Sequence, residues 1–321
     1  MRQLALIALK LAVSATLLYF AFSRLDLGQV VDRLDRLDWR WIAAAVAIAF
    51  VQAGLLAVRW RRVVLACGAA LPIERALRFT LIAAFFNQVL PSTVGGDAAR
   101  IWLLARAGAG WSKATYSVLL DRFVGVLMLA AAVTGGLYWS LGMIEDPIGR
   151  AALVVIGLGS LGGGAAFMAL ARWQWLSGAR LLRHLPEMAR LARRILFSRA
   201  FGPPVVGLSL LIHALTAATA WSMARAVAAP FGFFDAFLLV LPVVLIATVP
   251  ISIAGWGVRE SALVLAFSYA GLPGADGLII AVLLGLALAA VGIAGGAVWL
   301  ADPSAMRVQA VLATKPPHDA P

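Results

Sequence analysis

The chain has little of what most enzymes and soluble domains use. It holds a single cysteine, Cys67, which excludes an internal disulfide and any cysteine metal cluster. Its three histidines, His184, His213 and His318, are scattered without metal-ligand spacing. No P-loop, no G-x-S-x-G and no paired-carboxylate arrangement occurs, so ATP-driven transport and hydrolysis find no support. One string, Gly157-Leu-Gly159-Ser-Leu-Gly162, matches a dinucleotide fingerprint by letter. It lies inside an apolar run with no preceding strand and no acidic partner about twenty residues on, and reads as close helix packing. No metal or cofactor is expected, and an enzymatic role is the less favoured reading. Charge is scarce too, at 13% of residues against about 25% in a soluble domain.

What is present is apolar sequence, 63% of 321 residues, arranged in long runs. Segments 4–22, 40–58, 115–140, 150–170, 204–226 and 277–300 are each near the ~20 residues that a membrane-spanning helix needs. The first could pass for a signal peptide. It lacks a small-residue cleavage site and Lys10 interrupts it, so it reads as a span. Two further regions, 76–106 and 236–271, are broken by Pro and Gly into pieces of roughly 12–16 residues, a length that suits re-entrant segments. The expected fold is all-α: a polytopic transmembrane helical bundle of six full spans and two re-entrant broken-helix regions. It forms one transmembrane domain over 1–301, with inverted halves at roughly 1–140 and 150–301. The polar tail 302–321 is expected to be disordered and cytoplasmic.

The net charge of +12 sits in loops beside apolar runs, which favours anionic lipid head groups over nucleic acid. Segments 1–3, 59–78, 99–114, 172–199 and the tail hold 18 basic residues, and the opposite loops hold 7. The positive-inside bias then puts both termini in the cytoplasm of a multi-pass inner-membrane protein. Within 172–199, arginines alternate with Trp173, Trp175, Leu181, Leu185 and Leu191. That pattern fits an amphipathic surface helix on anionic lipid as well as an ordinary basic loop.

The two broken regions repeat each other. Pro91-Ser92-Thr93-Val94-Gly95-Gly96-Asp97-Ala98-Ala99-Arg100 and Pro250-Ile251-Ser252-Ile253-Ala254-Gly255-Trp256-Gly257-Val258-Arg259 align without a gap at a constant offset of 159, half the chain. Three crossings separate the copies, and an odd number is the mark of an inverted repeat. Pro91 and Pro250 stop a helix, while Gly95, Gly96, Gly255 and Gly257 let the backbone turn and pack closely. The helix that resumes near Asp97 or Trp256 presents free N–H groups and a positive dipole end, an anion site. Arg100 and Arg259 oppose that dipole, so their placement points to one shared anionic ligand, with Asp97 and Glu260 orienting them or titrating. The bland alternative is that Asp97 caps the helix and pairs with Arg100 at i, i+3 while Arg259 and Glu260 sit in interfacial water. Asn87 and Gln88 either line a cavity or satisfy freed backbone groups. Asp121 and Arg122, ionisable residues inside a span, are site candidates, with snorkelling as the alternative for Arg122.

On these residues the chain resembles the lysylphosphatidylglycerol synthase transmembrane-region family, the flippase-like membrane proteins. Phe86 through Arg100 is similar to its first motif, Asp121-Arg122-Phe-Val-Gly125 to its second, where the acid is often Glu, and Pro250 through Glu260 to its third. Ala254 stands where a Gly is common. The resemblance implies an integral membrane fold associated with lipid translocation. In the largest members this region precedes a cytosolic aminoacyltransferase domain. This sequence ends soon after its last span, so that activity is expected to be absent. The leading expectation is a lipid transporter or flippase for an anionic phospholipid or lipid-linked phosphate. The other is a membrane-embedded lipid-modifying enzyme, or a non-catalytic partner of a biosynthetic membrane protein in hopanoid, glycolipid or polyprenyl-sugar assembly.

Overall fold

A computed structural model describes residue 16 and residues 37–90, 94–172, 184–249 and 255–301. The span expected at 4–22, the tail, and Pro91, Ser92, Thr93, Pro250 and Ser252 lie outside the described residues. Within them the chain is all-helical, with no strand, and has eleven α-helices. In order they are α1 (Trp39–Ala66), α2 (Ile73–Val89), α3 (Gly95–Leu104), α4 (Trp111–Gly135), α5 (Leu137–Met143), α6 (Pro147–Ala169), α7 (His184–Phe197), α8 (Gly202–Ala226), α9 (Phe233–Ala247), α10 (Val258–Tyr269) and α11 (Gly274–Leu300). A π turn, Ala105–Ala109, follows α3, and a short 3-10 turn, Leu170–Arg172, extends α6.

Five of these helices, α1, α4, α6 with its extension, α8 and α11, are long and apolar enough to cross a membrane. They match the expected spans at 40–58, 115–140, 150–170, 204–226 and 277–300. Each broken region is indeed two helices, α2 and α3 in the first, α9 and α10 in the second.

Local chemistry sets the boundaries. Asp38 and Asp146 accept from the amides of Arg40 and Gly149 at 3.0 and 2.8 Å, capping α1 and α6, and Pro147 fills the first position of α6. The expected end of the first described span is corrected. α1 does not stop at residue 58 but runs on to Ala66, because its buried stripe of Ala45, Ala49, Ala53 and Ala57 continues through Trp60, Val63 and Val64. Arg59, Arg61 and Arg62 therefore belong to a helix, not a loop.

Contacts at the helix ends sort them into two sets. Lys113 Nζ donates to the Gly68 carbonyl at 2.9 Å, so α4 starts where α1 finishes. Arg61 Nε donates to the Leu71 carbonyl at 2.9 Å, just before α2. At the other set, the Asp38 amide donates to the Ala226 carbonyl at 2.9 Å and the Glu145 amide to the Tyr269 carbonyl at 3.0 Å. Helix starts at residues 39, 73, 95 and 111 are matched by starts at 202, 233, 258 and 274. Pairings match as well: α2 packs on α11 as α9 does on α4, and α1 packs on α8.

The stretch 184–197 is an amphipathic helix. Pro186, Ala189, Ala192 and Ile195 of α7 are buried against α4, α6 and α8, while Arg190 and Arg194 are exposed. Of the dinucleotide-like string, only Gly157 packs closely, with room for no more than contact with Thr134. Gly159 and Gly162 face open space.

Cys67 follows the end of α1, and burial pushes its thiol up to about 11. The thiolate is the reactive form, and it is scarce below that value. Maleimide labelling of the folded protein is expected to be slow at pH 7 and to rise about tenfold per pH unit toward pH 11. Labelling at the rate of a free thiol at pH 7 would contradict the burial.

Candidate functional site

The first broken region closes on itself at its glycines. A Cβ on Gly96 would overlap the Ala83 carbonyl and the Asn87 side chain, and one on Gly95 would lie 2.8 Å from the Phe86 carbonyl. Hydrogen in place of a side chain thus lets α3 start against the end of α2. The start is capped from outside: Asn87 Oδ1 accepts from the Gly96 amide at 2.8 Å. Of the two readings for Asn87, satisfying freed backbone is the one observed. Gln88 packs instead toward Gly292 of α11. Asp97 is not the N-cap but lies in the first turn of α3.

Asp97 and Arg100 project from α3 into a cluster of five charged side chains. Arg100 donates through Nη2 to Asp97 Oδ1 at 2.6 Å and through Nη1 to Asp121 Oδ2 at 3.1 Å. Asp121 Oδ1 accepts from Arg59 Nε at 2.9 Å, and Asp97 Oδ2 accepts from Arg122 Nε at 2.7 Å. The order is Arg59–Asp121–Arg100–Asp97–Arg122, alternating in sign. Arg59, Arg100, Asp97 and Asp121 are buried, whereas the Arg122 side chain is 44% exposed at the rim. Two carboxylates with all four oxygens occupied can be held ionised away from water; one without such partners could not.

Neighbours fit around these ions. Arg59 Nη1 reaches Ser209 Oγ at 3.3 Å. A Cβ on Gly125 would lie 3.1 Å from the Arg59 guanidinium, so the glycine of Asp121-Arg122-Phe-Val-Gly125 leaves that guanidinium its space. The Gly125 carbonyl accepts from His213 Nε2 at 3.0 Å, which makes His213 a hydrogen-bonded interior residue. Arg100 also lies over the Trp60 ring, 5.1 Å from its centroid.

The third motif builds a smaller cluster. Gly255 and Gly257 both have positive φ, +81° and +87°, the left-handed region in which a Cβ is strained. Gly257 turns the chain into α10, and its amide donates to Glu260 Oε2 at 2.6 Å. Glu260 Oε1 accepts from Arg259 Nη2 at 2.5 Å and from Nε at 3.1 Å. Arg259 lies over the Trp256 ring at 5.1 Å. Gly285 of α11 gives it room, as Gly125 does for Arg59. Both Arg259 and Glu260 are buried, so the interfacial-water reading of this pair is corrected.

Sequence reasoning put Arg100 and Arg259 on one ligand. In the structure they belong to separate clusters: the partners of Arg100 lie on α1, α3 and α4, and those of Arg259 on α10 and the turn before it. Asp121 joins the first cluster fully, and Arg122 joins it from the rim. The residue missed was Arg59, counted among loop cations although the alanine stripe of α1 runs past it. Among the described residues no group of histidines, cysteines and acids could hold a metal ion.

Motifs, spacing and helix order now stand together. The family model described as Lysylphosphatidylglycerol synthase TM region matches residues 7–306, almost the whole chain. The chain belongs to the lysylphosphatidylglycerol synthase TM region family. With its apolar helices, this makes it a multi-pass membrane protein of a lipid-related family. No curated protein matches it. The residues of the three motifs form two ionic clusters, buried except for Arg122 at the rim. Ionisable side chains are expensive inside a bilayer, which makes these clusters the candidate site.

Proposed function

We propose that this protein is a lipid transporter, a flippase that moves an anionic phospholipid or a lipid-linked phosphate between leaflets of the inner membrane. The observation that carries the reading is Arg100. It is a buried guanidinium beside the start of a helix that resumes after a break, stacked on an indole and held by carboxylates rather than by the scaffold alone. Guanidinium suits a phosphate, and the adjoining helix start favours an anion. Arg259 offers the same chemistry in the second half, and Asp97 and Glu260 orient the two arginines.

The architecture in this reading is two re-entrant hairpins, α2–α3 and α9–α10, in inverted halves, with 4–22 as a sixth span. Support comes from the end contacts. The Lys113–Gly68 bond puts the start of α4 at the end of α1, which supports a path between them that enters and leaves on one side. The Asp38–Ala226 and Glu145–Tyr269 bonds put the end of α8 at the start of α1 and the end of α10 just before α6, which supports the same path for the second hairpin from the opposite side. The basic ends of α1, α7 and the 105–113 turn then face the cytoplasm, with both termini. Each arginine is thereby reached from a different leaflet.

The test is translocation of labelled phosphatidylglycerol in proteoliposomes. Arg100→Ala and Arg259→Ala are each expected to slow it by about tenfold or more, the order of effect of losing a charged ligand contact. Wild-type rates in both variants would overturn the assignment. A phosphatidylglycerol product of altered mass would instead favour a lipid-modifying enzyme.

A further inference from the structure

The five-ion cluster has a property that a simple salt-bridged scaffold does not need. Arg100 is its middle member, and each of its two carboxylates has a second arginine: Asp121 is also held by Arg59, and Asp97 by Arg122. If Arg100 lets go of both, neither carboxylate is left buried without a cation. That matters because an uncompensated buried charge is strongly destabilising. The third motif has no such provision among the described residues. Glu260 has one arginine, Arg259, and its other oxygen is occupied by the Gly257 amide. Beside Arg100 there is also a spare donor: Trp60 is fully buried and its indole N–H has no hydrogen-bond partner among the described residues.

We infer that Arg100 is an exchangeable anion ligand: it swaps Asp97 and Asp121 for the phosphate of a lipid head group, while Arg59 and Arg122 act as positioning residues that hold the vacated carboxylates. This deepens the transporter reading and rests on it. The exchange has a direct consequence for release. When the phosphate leaves, Asp97 and Asp121 are still in place to take Arg100 back, so the same carboxylates that compete with the ligand also expel it. Apparent affinity is set by the fraction of Arg100 that is uncommitted. Weakening the outer arginines makes the carboxylates cling to Arg100 and lowers affinity. Neutralising a carboxylate frees Arg100 and raises it.

The sign of each effect makes the test. Binding of dihexanoyl-phosphatidylglycerol, inorganic phosphate and dihexanoyl-phosphatidylcholine to the full-length protein in detergent would be measured by calorimetry, with unfolding midpoints recorded for every variant. Arg122→Gln, at the half-exposed rim, is expected to weaken phosphatidylglycerol binding about tenfold, and Asp97→Asn to strengthen it. The double variant Arg122→Gln/Asp97→Asn is expected to bind at least as tightly as wild type. Arg59→Gln is expected to weaken binding and Arg59→Lys to restore it, which keeps the test open on the buried side. A merely structural role predicts losses that accumulate, so a double variant weaker than Arg122→Gln alone would overturn the exchange. Equal binding by Arg122→Gln and wild type would do the same. Phosphatidylglycerol bound more tightly than inorganic phosphate identifies the lipid as the source of the anion. Preference for inorganic phosphate would overturn a lipid as the source of the anion, and preference for the zwitterionic phosphatidylcholine would overturn the anionic head group on which the transporter reading rests. If wild type binds none of the three, the transporter reading itself fails. If wild type binds and the variants follow no exchange order, only the exchange fails.

Discussion

Asp121→Ala is expected to cost about 3–5 kcal/mol of stability, the order measured when one partner of a buried ion pair is removed. Asp121 is nearly fully buried and takes donors from both Arg59 and Arg100. Without it, among the described residues Arg59 keeps the Ser209 hydroxyl and the carbonyl of residue 121, and Arg100 keeps Asp97 and the Trp60 ring. Two guanidiniums then face a low dielectric with one carboxylate among them on the buried side. The damage also crosses the bundle, since Arg59 is on α1, Asp121 on α4 and Arg100 on α3. The variant would lose one of the ties that fix the first broken region to the long helices, the Arg122–Asp97 bond remaining. The measurement is the denaturant or thermal midpoint of purified protein in one detergent. A midpoint equal to wild type would mean that the three side chains are not held as ions in contact. Arg59→Leu/Asp121→Leu is expected to lose less than the two single variants added together, because residues in one network do not act independently.

That pair marks the boundary of what the residues alone disclose. The broken regions were legible because Pro and Gly interrupt apolar runs too long for a loop; α3 and α10 fall inside them, and α2 and α9 each begin three residues earlier. The Asp97–Arg100 pair was legible as an i, i+3 spacing, and Glu260 lies three residues past Gly257, within reach of its amide. Arg59 was not. It pairs with a residue 62 positions away, and nothing local announces such a partner. A signal did exist in the alanine spacing of α1, which carries the helix past Arg59 to Ala66. Counting every arginine near a span as a loop cation hid it. The charge rule has the same blind spot at Arg100 and Arg259, which were tallied as loop residues and are buried. Snorkelling cations and buried ones look alike in a sequence, and only tertiary partners separate them. The shared ligand of Arg100 and Arg259 was inferred from repetition. Repetition sets equivalent positions and leaves their partners free to differ, as the five-ion and two-ion clusters do.

Gly295→Val is expected to be the most damaging glycine substitution, and it tests the seam between α2 and α11. A Cβ at Gly295 would sit on the Leu81 carbonyl, which is backbone and cannot rotate away. Gly292 and Gly296 lie on the same side of α11, against Gln88 and the Phe85 ring. In a bilayer, helices gain nothing from burying apolar surface against each other, so association depends on close approach, and small residues provide it. The same α11 gives Arg259 its space at Gly285 in its other half. One helix therefore holds the first broken region at one end and flanks the third motif at the other. Overpacking at a tight contact costs typically 1–3 kcal/mol, and the branched side chain should reach or pass the top of that range. Gly159→Val provides the control: no atom lies within 4 Å of a Cβ there, so a change within about 0.5 kcal/mol is expected although both glycines sit in apolar helices. Unfolding midpoints of the two variants should differ widely. Lipid translocation should fall in Gly295→Val even where folded protein is recovered, because α2 carries Asn87 and, through it, the start of α3. Equal midpoints would show that the α2–α11 seam has slack, and the rigid placement of Arg100 would then have to come from the ion cluster alone.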